Sequence, residues 1–123
     1  MRIFRGSILL VLAAVIIISI AGCGRVAEYG EGKFGEQTIS ISSILASPDD
    51  FDGKTVKIEG RITRECPTGC WFDLEDETGE IYVDLNPSGF AIPQKVGNKA
   101  TTQGRVKIKN GIATIIGEGV KIK

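Results

Sequence analysis

Alternating apolar and polar residues fill the chain from Thr55 to its end, and this pattern constrains the fold more than any other feature. In its clearest stretch, Thr55–Glu65, every second residue from Val56 to Ile62 is apolar or glycine. A period of two is typical of a β-strand that buries one face and exposes the other. Four further stretches repeat the pattern, at residues 70–76, 81–85, 100–109 and 112–122. The sequence therefore predicts a mainly β domain with five strands.

Turn residues and glycines mark where these strands end or bend. Residues 77–79 and Asn110-Gly111 are typical of tight hairpins, and Gly60 and Gly104 suit the bends of a small barrel. The residues predicted to point inward are Val56, Ile58, Ile62, Phe72, Leu74, Ile81, Val83, Leu85, Val106 and Ile108. We predict a five-stranded barrel, with a small β-sandwich or another five-stranded barrel as the alternative.

The segment before the first strand mixes two signals. Ile39 and Ile41 alternate with polar residues, as they would in a strand. Residues 43–47 predict one short helical turn, which Pro48 ends because proline does not continue a helix. Residues 86–97 contain two prolines and are predicted to be a connection between strands.

The order of the predicted elements resembles the OB-fold over residues 38–123: a long bent strand, a hairpin, a connection and a second hairpin. The lead-in from Ile39 to Gly60, which includes Phe51-Asp52-Gly53-Lys54-Thr55, is similar to the opening of exported OB-fold proteins and of tRNA-anticodon-type OB domains. Residues 66–72 are similar to a Cys-Gly-Cys-Trp-type element of small exported proteins. The resemblance implies an OB-fold-like binding module and leaves the ligand open.

Residues 1–22 resemble the signal peptide of a prokaryotic lipoprotein. Arg2 and Arg5 precede 13 residues, 8–20, that carry no charge, which fits the apolar region of a signal peptide. The run Ile20-Ala21-Gly22-Cys23 is similar to a lipobox, after which Cys23 would be the lipid-bearing N-terminus. A spanning helix needs about 20 apolar residues, so an uncleaved membrane anchor is the alternative.

This resemblance implies an extracytoplasmic protein, periplasmic or on the cell surface, held on the membrane by the lipid on Cys23. A diacylglyceryl group would make that attachment firm, because two acyl chains bind a bilayer stably. The glycine-rich segment after Cys23 predicts a flexible tether. The expected organisation is a signal peptide at 1–22, a tether at 23–37 and an OB-fold-like domain at 38–123.

Charge and composition narrow the class of function. Without Arg2 and Arg5, 13 basic and 15 acidic residues remain, a net charge of −2. A dedicated nucleic-acid binder would have a basic excess. The sequence contains no histidine, which removes imidazole bases, histidine-ligated metals and c-type haem attachment. Serine and threonine then have no histidine to activate them, so we predict no enzymatic activity and no cofactor.

Lipidation of Cys23 would leave Cys66 and Cys70 as an even pair in the exported domain. In that compartment a disulfide is the default for such a pair. Pro67 and Gly69 supply the turn that would bring the two sulfurs together. The alternatives are a soft metal bound by both thiolates, or a redox-active disulfide. A Cys-x3-Cys pair lacks the two further ligands of a structural zinc site.

The candidate ligand face consists of Trp71, Asp73, Tyr82 and Asp84. The alternation places these side chains on the outer face of the second and third predicted strands, where OB-folds bind ligands. Residues 73–84 contain six carboxylates and no basic residue, which would repel a phosphate backbone. The aromatic residues could also simply cover the barrel.

Three functional hypotheses follow. The first is a non-enzymatic, membrane-tethered binding module whose ligand is a protein or a small molecule. The second is a metal-binding or thiol-redox accessory lipoprotein that acts through Cys66 and Cys70. The third is an OB-fold that binds single-stranded nucleic acid on its last two strands, since residues 95–123 hold seven basic residues against Glu118.

Overall fold

The computed structural model describes residues 26–123, which form six strands, two short α-helices and one 3₁₀ turn. The strands are β1 (Ala27–Gly30), β2 (Thr55–Glu65), β3 (Trp71–Glu75), β4 (Glu80–Asp84), β5 (Lys99–Lys109) and β6 (Ile112–Ile122). The helices are α1 (Ile41–Ala46) and α2 (Pro48–Phe51), and the 3₁₀ turn covers Asn86–Ser88. The five predicted strands correspond to β2 to β6.

Strands β2 to β6 close into a barrel. The strands lie side by side in the order β1-β6-β4-β3-β2-β5, and the additional pairing of β5 with β6 completes the ring. All the pairings are antiparallel except that of β4 with β6. The predicted five-stranded barrel is confirmed, and the β-sandwich alternative is wrong.

The long strand β2 bends so that each half pairs with a different neighbour. Residues 55–61 pair with β5, whereas residues 61–65 pair with β3. Gly60 lies at the bend, and a Cβ atom there would be 2.7 Å from the carbonyl carbon of Glu75. Glycine therefore permits the close approach of the end of β3, as the sequence predicted for a barrel bend.

The core is built from the inward-facing residues of the alternating pattern. Nine of the ten residues predicted to point inward are buried, and the tenth, Ile108, is half-buried. Ile115, Val120 and Ile122 add the contribution of β6. The β5–β6 hairpin turns at Asn110 and Gly111, which both have positive φ, as its sequence predicted.

The segment before β2 is helical where Ile39 and Ile41 predicted a strand. Helix α1 begins at Ile41, earlier than the predicted helical turn at 43–47, and α2 follows directly. Asp76 and Thr78, in the β3–β4 turn, accept the N–H groups of Ile41 and Ser42 at 2.9 and 3.0 Å. The side chains therefore satisfy backbone donors at the start of α1, and Ile41 and Ile44 are fully buried.

Part of the predicted tether is a strand. Residues 27–30 form β1, which pairs antiparallel with residues 119–122 of β6. Strand β4 pairs with β6 only at Ile115 and Ile116, so the last part of that edge of β6 is open to β1. Beyond β1, Gly35 N–H donates to Gln103 Oε1 at 2.7 Å. No alternation of apolar and polar residues marks this strand in the sequence, because the strand is short and mostly exposed.

The predicted signal peptide and the lipidation residue Cys23 lie outside the described residues. Among residues 26–123, no helix has the length and apolar character needed to cross a membrane.

The carboxylate of Asp76 links α1 to the β3–β4 turn, and Asp76→Asn should weaken the fold. The carboxylate accepts four hydrogen bonds, from the N–H groups of Ile41, Thr78 and Gly79 and from the Thr78 hydroxyl. An amide cannot accept all of them, so we expect the free energy of unfolding at pH 7 to fall by about 1–2 kcal/mol in urea denaturation.

The loss should depend on pH. Burial acts to raise the pKa of Asp76, but the hydrogen bonds from Thr78, Ile41 and Gly79 outweigh it and hold the pKa below 3.8. A lowered folded-state pKa contributes stability above the unfolded-state pKa, and this contribution disappears as pH falls through the folded-state value. The difference between wild type and Asp76→Asn should therefore shrink below pH 3.8. Glu77→Gln, at an exposed position in the same turn, is the control and should change stability little at any pH.

Candidate functional site

The four residues of the predicted ligand face lie together on the outside of the barrel. Trp71 pairs across the strands with Asp84, and Asp73 pairs with Tyr82, so all four side chains share one face of β3 and β4. The Trp71 and Tyr82 ring centroids are 5.5 Å apart, with the rings tilted by 33°. Both rings are half-buried, so each keeps an accessible surface. The two strands thus present an aromatic pair flanked by two carboxylates.

A fifth residue, Arg64, belongs to this face and was missed by sequence reasoning. Strict alternation in β2 turns Ile62 inward and would turn Arg64 inward as well. The pairing of β2 with β3 shifts between Ile62 and Arg64, so that Ile62 lies opposite Leu74 and Arg64 lies opposite Asp73. A bulge of one residue re-aims the side chains that follow it, which explains why Arg64 lies outside. No turn residue in the sequence marks this bulge.

Arg64 is held by two neighbours on the face. Its Nε donates to Asp73 Oδ2 at 2.7 Å, and its guanidinium carbon lies 5.8 Å from the Trp71 ring centroid. The hydrogen bond to Asp73, and then the negative charge of that carboxylate, raise the pKa of Arg64. Its side chain remains 72% exposed. We call Arg64, Trp71, Asp73, Tyr82 and Asp84 the aromatic face.

The two carboxylates of the aromatic face differ in their surroundings. The Asp73 side chain is only 7% exposed and is bonded to Arg64. The Asp84 side chain is 16% exposed, and its nearest cation, Lys109 Nζ, lies 4.0 Å from Oδ2. Its other oxygen, Oδ1, accepts the N–H of Asn86 at 3.0 Å. The cation nearest to Asp84 is therefore more distant than the arginine that is bonded to Asp73.

The surroundings of Tyr82 on the aromatic face change the pKa of its hydroxyl group. Burial raises the pKa of Tyr82, and the negative charges of Asp84 and Asp73 raise it further. Negative charge opposes formation of the phenolate. Both carboxylates therefore lie close enough to Tyr82 to disfavour a further negative charge there.

Cys66 and Cys70 are joined by a disulfide, as their pairing in the sequence predicted, with Cα atoms 5.6 Å apart. The loop they close leads directly into Trp71: Cys66 N–H donates to Trp71 O, and Leu85 N–H donates to Cys70 O, both at 2.9 Å. Gly69 has positive φ, and its carbonyl oxygen accepts the N–H of Ile92 at 3.1 Å. The disulfide thus restrains one end of the aromatic face. Residues 26–123 contain no cluster of three or more metal-ligating side chains.

A groove lies apart from the aromatic face. It has a volume of about 630 Å³ and lies beside the bend of β2. Its walls carry both charges, from Arg61, Lys99 and Lys123 and from Glu59, Glu75, Asp76 and Glu77. It contains none of the predicted site residues.

Removing the disulfide should loosen the aromatic face and destabilise the barrel. For the variant with both Cys66→Ser and Cys70→Ser, we expect the free energy of unfolding to fall by about 2 kcal/mol, because the closed loop is short. Trp71 is the only tryptophan of the chain, so its emission reports the same loosening. Wild type in reductant should match the variant in both measurements. An unchanged denaturation midpoint would show that the disulfide does not stabilise the fold.

Comparison with known proteins identifies the fold. No protein-family model and no curated protein matches this sequence. Among solved structures, the chain is similar to that of the hypothetical protein ygiW from E. coli, with a TM-score of 0.57 and 16% sequence identity. The match covers 76% of this chain and 100% of that one. At this identity the likeness concerns the fold alone, and the closed five-stranded barrel is OB-fold-like.

Proposed function

We propose that this protein is a membrane-tethered, extracytoplasmic binding module without enzymatic activity, and that its ligand binds the aromatic face. The observation that carries the proposal is the Trp71–Tyr82 pair, which lies half-exposed between Asp73 and Asp84. Half-exposed aromatic rings with polar groups beside them are typical of binding surfaces, because the rings offer large contact areas with few rotatable bonds.

The position of the aromatic face on the barrel supports this proposal. In OB-folds, ligands bind the face of the second and third barrel strands and the loops that flank it. Here those strands are β3 and β4. The disulfide loop 66–70 precedes Trp71, and Lys109, beside the β5–β6 turn, reaches Asp84. A face on paired strands, restrained by a disulfide, needs little reordering when a ligand binds.

The charges of the described residues favour a protein or a small molecule over nucleic acid as the ligand. The carboxylates of Asp84 and Asp73, which both raise the pKa of Tyr82, would repel a phosphate backbone. The basic residues of β5 and β6 are partly engaged elsewhere: Arg105 faces Glu118, and Lys121 faces Glu28, each with 3.7 Å between charged atoms. These ion pairs reduce the cationic surface available to an oligonucleotide.

Two observations weigh against a metal-binding or catalytic role. Cysteines joined in a disulfide have no thiolate to offer a metal, which disfavours the metal-binding hypothesis for Cys66 and Cys70. On the aromatic face, the carboxylate of Asp73 is bonded to Arg64 and is therefore not free to act as a base. What remains accessible on the aromatic face suits binding.

The short distance in sequence from Cys23 to β1 bears on the proposed anchor. Three residues separate Cys23 from Ala27, and even a fully extended chain spans only about 14 Å between these two residues. Ala27 pairs with Ile122, whereas Asp84 pairs with Ile116, six residues back along β6. That separation is about 20 Å along the strand. A lipid on Cys23 would hold the barrel near the membrane with its aromatic face away from the point of attachment.

The binding proposal is tested by measuring the fluorescence emission of Trp71 in the full chain, held in lipid nanodiscs. The probes are a lysine tetrapeptide, a glutamate tetrapeptide, a neutral oligosaccharide and a single-stranded oligonucleotide. We expect at least one probe to change the emission saturably. Tyr82→Ala should weaken that response at least tenfold, because it removes half of the aromatic pair.

Phe34→Ala is the matched control for this experiment. Phe34 is also a half-buried ring, but it packs beside Lys121, away from the aromatic face. Its removal should leave the response unchanged. If no probe changes the emission, or if both variants weaken the response equally, the aromatic face is not a binding site.

The anchor is tested by replacing Cys23 with serine. We expect the variant to leave the membrane fraction, because no residue would then carry the lipid. The measurement is the distribution of the full-length product between membrane and soluble fractions, with Cys66→Ser as the control that keeps Cys23. A Cys23→Ser protein that stays in the membrane fraction would favour the uncleaved anchor.

A further inference from the structure

We propose that the aromatic face binds a cationic side chain, lysine or arginine, presented by a protein partner. This inference rests on the proposed function and specifies its ligand. It follows from how the aromatic face already holds one cation and from the carboxylate of Asp84, whose nearest cation, Lys109, lies 4.0 Å away.

The chain itself shows how this face takes up a guanidinium. Arg64 lies over the Trp71 ring, 5.8 Å from its centroid, and donates to Asp73 at 2.7 Å. A ring that accepts a cation on its face, next to a carboxylate that accepts the N–H, is the arrangement by which proteins bind ammonium and guanidinium groups. Arg64 occupies the Asp73 side of the aromatic pair.

The Asp84 side of the aromatic pair is the place for a second cation. Asp84 pairs across the strands with Trp71, and its Oδ2 has only Lys109, at 4.0 Å, as a cationic neighbour. That distance exceeds the length of a charge-assisted hydrogen bond, which is about 2.7–2.9 Å. A lysine or arginine of a partner could bond Oδ2 directly and lie against Trp71 or Tyr82.

Ile116 suits the aliphatic part of such a side chain. It pairs with Asp84 on β6 and is half-buried, so it offers apolar surface beside the carboxylate. Lysine and arginine place their methylene groups along apolar surface and keep the charge at the polar end. An acidic side chain at the same place would meet the Asp84 carboxylate instead.

The test is a titration of the full chain in nanodiscs with the lysine tetrapeptide, followed by Trp71 emission. We expect saturable binding that weakens as salt is raised. Asp84→Asn should weaken the affinity about tenfold, because the new cation loses its carboxylate partner. Glu77→Gln removes the same charge from the exposed β3–β4 turn, and should change the affinity less than twofold.

A second variant should act in the opposite direction. Lys109→Ala removes the cation that competes for Asp84, so it should strengthen binding of the lysine tetrapeptide several-fold. Lys107→Ala is its matched control, because it removes one positive charge from an exposed position on the same strand. This pair keeps the test decisive even if Asp84→Asn fails to fold.

Each other outcome overturns the inference. Equal effects of Asp84→Asn and Glu77→Gln would mean attraction by overall charge and no site at Asp84. Lysine amide that binds as tightly as the tetrapeptide would exclude a protein partner as the specific ligand. Saturable binding of only the glutamate peptide, the oligosaccharide or the oligonucleotide would overturn the cationic ligand and leave the proposed function standing. No response to any probe would overturn both.

Discussion

The double pairing of β2 is the constraint on which the rest of the structure depends. One half of this strand pairs with β5 and the other with β3, so a single strand joins the two hairpins into one closed barrel. Strand β2 changes partner at Gly60 and Arg61. Position 60 requires glycine, because the end of β3 passes too close for a Cβ atom there. The strand thus changes partner at the residue where the alternating pattern contains a glycine.

The same strand connects the fold to the candidate site. After the bend, the bulge between Ile62 and Arg64 turns Arg64 outward, where it meets Asp73 and Trp71. Without the extra residue, an arginine would face the barrel interior, and a buried unpaired charge is strongly destabilising. The bulge therefore keeps the charge of Arg64 out of the barrel interior, and it adds Arg64 to the aromatic face.

Features that depend on neighbouring residues in the chain could be predicted from the sequence, whereas features that depend on contacts between distant segments could not. The alternating pattern predicted β2 to β6 and nearly all of the core. It also predicted that four side chains share one face: Trp71, Asp73, Tyr82 and Asp84. Both predictions succeeded because the direction of each side chain in a regular strand is set by its position in that strand. The pattern missed the start of α1, which depends on Asp76 from a distant turn, and β1, which depends on an edge of β6 that β4 leaves open. It also missed Arg64, because a bulge belongs to the pairing of two strands and not to either sequence alone.

The two aspartates of the aromatic face show why residue type alone could not define the site. Asp73 and Asp84 lie on adjacent strands beside the same pair of rings, yet one is bonded to an arginine and the other has only a lysine at 4.0 Å. The first therefore orients Arg64 and is neutralised by it, whereas the second has only a more distant cation. The bulge in β2 brings the arginine to one side only. The asymmetry on which the proposed preference for a cation rests is thus a consequence of strand pairing, and it lies beside the disulfide loop that leads into Trp71.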